Sequence, residues 1–74
     1  MWIKRYNLAV LMKEIRCQLE LSQEDLAREI GVSYATVNRW ENGRFLPSRL
    51  AMVQLEAYCD RMIALGRLVL SDKI

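Results

Sequence analysis

Leu8, Leu11, Met12, Ile15 and Leu19 recur at steps of three and four residues, so they gather on one side of an α-helix and predict a first helix over Leu8–Leu19. Leu26, Ala27 and Ile30 repeat the pattern in a short second helix starting at Gln23. Val37 and Trp40 supply the inward face of a third, from Tyr34 to about Glu41. The run from Arg49 to Leu65 holds no helix breaker, and Leu55, Tyr58, Cys59 and Met62 share a face within it. Strand-like alternation is weak throughout. The pattern therefore predicts an all-α fold, a compact bundle of about four to five helices. Two stretches stay open. Trp2 and Ile3 in Met1–Asn7 either pack on the domain or precede it, and Leu68-Val69-Leu70 in Arg67–Ile74 suits a strand, a helical turn or a contact surface.

Capping residues punctuate these helices. Ser22 can accept from a free backbone N–H, with Asp25 three residues on in a capping-box arrangement. Gly31 stops the second helix, Ser33 caps the third, and Asn42-Gly43 ends it. Arg44–Leu46 reads as a loop, Pro47-Ser48 as the start of the long helix and Gly66 as its end.

A chain of 74 residues is a single small domain, with its core expected over about residues 8–65. One apolar core is barely sufficient at this size. The apolar fraction is 53%, so part of it is expected to face another subunit or domain, and the cluster Leu65, Leu68, Val69 and Leu70 points to self-association through the C-terminal segment. No stretch approaches the roughly 20 apolar residues of a membrane span and no secretory signal opens the chain, so a soluble, cytoplasmic protein is expected.

Candidate chemistry is sparse. There is no histidine, and Cys17 and Cys59 lack metal-type spacing, so neither a metal site nor a cofactor is expected. Nothing resembles a nucleophile beside an activating group, which argues against an enzyme. The net charge of +2 says little by itself, but between Ser33 and Arg49 three arginines (Arg39, Arg44 and Arg49) face one acid, Glu41.

Two short capped helices joined at Gly31, with small Ala27 where they must approach, form an αα corner whose second helix is convex and exposed. Such a helix fits the major groove of B-DNA. The elements L-S-Q-E-x-L-A (Leu21–Ala27), G-V-S (Gly31–Ser33), W-E-N-G (Trp40–Gly43) and P-S (Pro47-Ser48) stand in order, and on them the segment from about Leu11 to Leu55 resembles the lambda-repressor-like (Cro/phage-repressor, XRE-type) helix-turn-helix family.

The resemblance implies sequence-specific binding of double-stranded DNA, with the helix 34–41 in the major groove and, as is usual in the family, a homodimer on a pseudo-palindromic site. It implies backbone contacts from Gln23, Ser33, Asn42 and Arg44, and base readout by Tyr34, Ala35, Thr36, Asn38 and Arg39. Arg39 suits guanine, Asn38 suits adenine and Ala35 a thymine methyl, while the aromatic Tyr34 at the tip departs from many relatives. The resemblance also implies a structural ion pair between Arg16 and Glu41.

A transcriptional regulator is the leading expectation. The alternatives are a DNA-targeting module of a larger nucleic-acid-modifying protein, an antitoxin, or, in a different class, a protein-interaction domain that has lost DNA binding. A protein partner or further domain would use the C-terminal segment.

Overall fold

The computed structural model describes residues 1–44 and 47–71; residues 45–46 of the expected loop and 72–74 of the tail lie outside the described residues. Four α-helices follow a short 3₁₀ turn at Trp2–Arg5: α1 Leu8–Leu19, α2 Gln23–Ile30, α3 Tyr34–Glu41 and α4 Arg49–Ala64. No strand occurs among the described residues. The fold is all-α, and the helical periodicity located each of the four α-helices within a residue or so, whereas the 3₁₀ turn had no such signal.

One core joins all four helices. Leu11, Met12, Ile15 and Leu19 enter it from α1, Leu26, Ala27 and Ile30 from α2, Val37 and Trp40 from α3, and Leu55, Tyr58, Cys59 and Met62 from α4. Burying each large apolar side chain contributes roughly 1.5–3 kcal/mol. This packing, more than helix propensity, holds eight-residue helices such as α2 and α3 together. α3 packs on both α1 and α2, and α2 also packs on α4.

Both ends complete that core. Ile3 is fully buried. The turn carrying it docks on α4, where the Ile3 N–H donates to Glu56 (3.1 Å) and the Trp2 indole N–H donates to Asp60 (2.9 Å). Asn7 then caps α1 by accepting from the Val10 N–H, a cap the hydrophobic pattern did not register.

At the other end α4 closes at Leu65, Gly66 takes φ +72°, and the chain folds back so that Leu68 is buried. Gln18 of α1 holds this return, accepting from the Val69 N–H (2.8 Å) and donating to the Val69 carbonyl (2.7 Å). The expected apolar cluster is thereby divided. Leu68 belongs to the chain's own core and Leu70 packs partly against it, whereas Leu65 and Val69 are exposed. Pro47 lies one residue before the Ser48 cap rather than inside α4.

Candidate nucleic-acid interface

The α2–α3 unit is built from its caps. Ser22 Oγ accepts from the Asp25 N–H and the Asp25 carboxylate accepts from the Ser22 N–H, closing a reciprocal capping box. α2 ends at Gly31, whose φ of +90° turns the chain sharply while the N–H groups of Gly31 and Val32 both reach the Ala27 carbonyl. A side chain at Gly31 would meet no neighbour, so the glycine is required by its backbone angle rather than by space. Ser33 caps α3 through the Thr36 N–H (3.1 Å).

The cores of the two short helices set which side of α3 faces outward. Val37, Trp40 and Glu41 point inward. Tyr34, Ala35 and Arg39 are exposed, Thr36 and Asn38 are half-buried, and Asn42 and Arg44 follow on the surface. The Thr36 hydroxyl lies 2.8 Å from Ser33 Oγ, so both hydroxyls already have a partner. Gln23, the first residue of α2, accepts at its side-chain carbonyl from the Asn38 amide (3.2 Å), and Asn38 accepts in turn from the Asn42 amide (3.0 Å). Two side chains expected on the DNA backbone, Gln23 and Asn42, are thus joined in one hydrogen-bonded chain by Asn38, which was expected at the bases.

Charge on this face is simpler than the sequence count suggests. Glu41, the one acid between Ser33 and Arg49, is buried, and Arg16 of α1 holds it with two hydrogen bonds, Nε to Oε2 at 2.7 Å and Nη2 to Oε1 at 2.9 Å. Those bonds raise the Arg16 pKa above its already high ordinary value. Arg39, Arg44 and Arg49 remain as exposed charges of a single sign.

A cleft of about 440 Å³ separates α3 from the start of α4, with Ser33, Thr36 and Arg39 on one side and Pro47, Ser48 and Leu50 on the other. Leu50, 70% exposed beside this cleft, was not singled out from the sequence, because an apolar residue on a long amphipathic helix looks like core. No group of residues suited to holding a metal ion occurs among the described residues.

A family model described as "Helix-turn-helix" matches residues 12–61, more than half of the chain and the whole of this unit. The chain belongs to the lambda-repressor-like helix-turn-helix family. The helix-turn-helix of this family is a DNA-binding domain, and α3 is the helix it exposes. The type II methyltransferase M1.ScrFI of Lactococcus lactis subsp. cremoris is 39% identical over 47 residues, covering 60% of this chain. The chain spans 12% of the length of that curated relative. No solved structure matches the chain. The described residues include no helix long and apolar enough to cross a membrane.

Proposed function

We propose that this helix-turn-helix domain binds double-stranded DNA sequence-specifically, lays α3 in the major groove and serves a cytoplasmic transcriptional regulator. The observation that carries this reading is the burial of Glu41 against Arg16, which leaves the outer face around α3 with exposed arginines and no exposed acid between Ser33 and Arg49. A stretch whose exposed charges are all arginines, running through a convex helix, suits a polyanion with a groove.

In this reading Gln23, Ser33, Asn42 and Arg44 hold the phosphate backbone. Tyr34 and Ala35 at the exposed tip reach base edges, as does Arg39 one turn on, while Thr36 approaches the bases from its hydroxyl contact with Ser33. A homodimer would place two α3 helices about one DNA turn apart, roughly 34–36 Å. The domain itself catalyses nothing and takes no cofactor.

A second reading has one observation in its favour. The similarity to a small part of a type II methyltransferase suits a DNA-targeting module that feeds a separate catalytic region.

Selection of bound sequences from a random duplex pool, followed by titration against salt, tests the proposal. A single enriched motif with affinity falling steeply as salt rises is expected. Salt-insensitive or undetectable binding would replace it with a protein-interaction role. A palindromic motif would favour the dimeric regulator, and an asymmetric one the targeting module.

A further inference from the structure

We propose that Asn38 is a positioning residue rather than a base reader: its amide sets the orientation of Gln23 and ties it to Asn42, so that the two backbone contacts act as one unit. The inference rests on the DNA-binding reading above and departs at one residue from the base-reading set that the family resemblance implied.

The geometry is a directional chain of three amides. The Asn42 amide nitrogen donates to Asn38 Oδ1 at 3.0 Å, and Asn38 Nδ2 donates to Gln23 Oε1 at 3.2 Å. Each primary amide has one oxygen and one nitrogen, so using an atom inward fixes what is presented outward. Because Gln23 spends its oxygen on Asn38, it turns its nitrogen away from Asn38. A phosphate oxygen needs a donor. The reverse polarity would aim the Gln23 carbonyl at the phosphate, which repels. Asn38 is therefore what keeps Gln23 in its donating orientation before DNA arrives.

Asn38 is also poorly placed to read bases. It is half-buried, whereas Tyr34, Ala35 and Arg39 on the same helix are exposed. Bidentate recognition of adenine uses both the amide oxygen and the amide nitrogen of one side chain. In Asn38 one amide N–H and one carbonyl lone pair are already committed to Gln23 and Asn42, so turning the amide onto an adenine edge would loosen both contacts together. The contact also bridges α2 and α3 across 15 residues of sequence, so it orients the phosphate-facing start of one helix relative to the base-facing side of the other.

A double-mutant cycle tests this. Asn38→Ala, Gln23→Ala and the double variant are titrated with cognate and scrambled duplex across a salt series, with thermal melting of each free protein. Asn38→Ala should weaken binding to both duplexes by the same factor, roughly three- to tenfold, as expected when a charge-assisted hydrogen bond is loosened rather than removed. That loss should largely vanish in the Gln23→Ala background, because nothing remains to orient. Melting should hold or rise, since alanine favours a helix interior. A merely structural role for Asn38 would instead lower melting and add its binding loss to that of Gln23→Ala.

Three results overturn the proposal. One is a change in the cognate-to-scrambled ratio on Asn38→Ala, which makes Asn38 a reader. Another is additivity with Gln23→Ala. The third is a wild-type chain with no salt-dependent DNA binding, which removes this inference together with the reading beneath it.

Discussion

Arg16 in the last turn of the core-forming helix α1 grips Glu41, the last residue of α3, through two parallel hydrogen bonds of 2.7 and 2.9 Å. Glu41 is nearly inaccessible at 3% side-chain exposure, while Arg16 keeps 28%. The pair fixes the end of the exposed helix to the scaffold and buries the one acid between Ser33 and Arg49. Removing Arg16 alone should leave a buried carboxylate without its counter-ion. Arg16→Met is expected to destabilise the domain by about 3 kcal/mol, and the double variant Arg16→Met, Glu41→Leu by markedly less. Urea unfolding of the three proteins checks this; a cost for Arg16→Met within the range of an exposed pair, under about 1 kcal/mol, would contradict it.

The capping box at α2 carries a pH dependence. Hydrogen bonds from Ser22, side chain first and backbone second, hold the Asp25 carboxyl below its ordinary range, helped by Arg28. A depressed folded-state value means its stabilising contribution is present above the ordinary carboxylate value of about 4 and is lost as pH falls through the folded value. The stability gap between wild type and Asp25→Asn should therefore narrow as pH is lowered from about 6 to about 2. Equal urea midpoint differences at both ends of that range would show that the carboxylate form contributes nothing.

Glu20 ends α1 with φ +55° and ψ +46°, a left-handed conformation that glycine adopts at the ends of the other three helices. A side chain there costs roughly 1–2 kcal/mol, against about 0.4–1 kcal/mol lost to the greater freedom of unfolded glycine. Since Glu20 is exposed and outside the core, Glu20→Gly should stabilise the domain by about 0.5–1 kcal/mol and raise its melting temperature. A neutral or lower melting temperature would mean that the glutamate gains something from its position beyond its backbone angle.

The two cysteines should differ sharply in reactivity. Cys59 is fully buried, and burial, with smaller effects from Asp60 and Glu56, pushes its thiol up to about 12. Cys17 is exposed. Iodoacetamide at neutral pH should label Cys17 promptly and Cys59 only when the domain opens, so that Cys59 labelling slows as stability rises. Mass spectrometry resolves the two sites, and prompt double labelling of the native protein would count against the packing described.

Arg39 separates reading from holding. Arg39→Ala is expected to cost about 1–3 kcal/mol of discrimination between cognate and scrambled duplex, as for a lost bidentate contact with guanine. A phosphate contact would instead lower the salt slope by roughly one unit and leave the preference unchanged. An unchanged cognate-to-scrambled ratio assigns the readout to Tyr34, Ala35 and Thr36.

Much of this was legible in the sequence because it is local. The apolar spacing of Leu11, Met12, Ile15 and Leu19 identifies α1, and the serines at 22, 33 and 48 with Gly31 bound the helices that follow, since capping and left-handed turns depend on residues only a few positions apart. The ordered elements from Leu21 to Ser48 likewise mark the family and the exposed helix. What required the tertiary structure was every relationship between distant positions. Whether Leu68 formed a sticky surface or filled its own core depended on Gln18, some fifty residues away, catching the backbone of Val69. The 3₁₀ turn at Trp2–Arg5 has no periodicity of its own and acquires a place only by hydrogen-bonding to Glu56 and Asp60 of α4. The roles of Gln23, Asn38 and Asn42 could be guessed one at a time, but an amide's orientation is set by its hydrogen-bond partner, and that partner becomes known only when two helices are seen side by side.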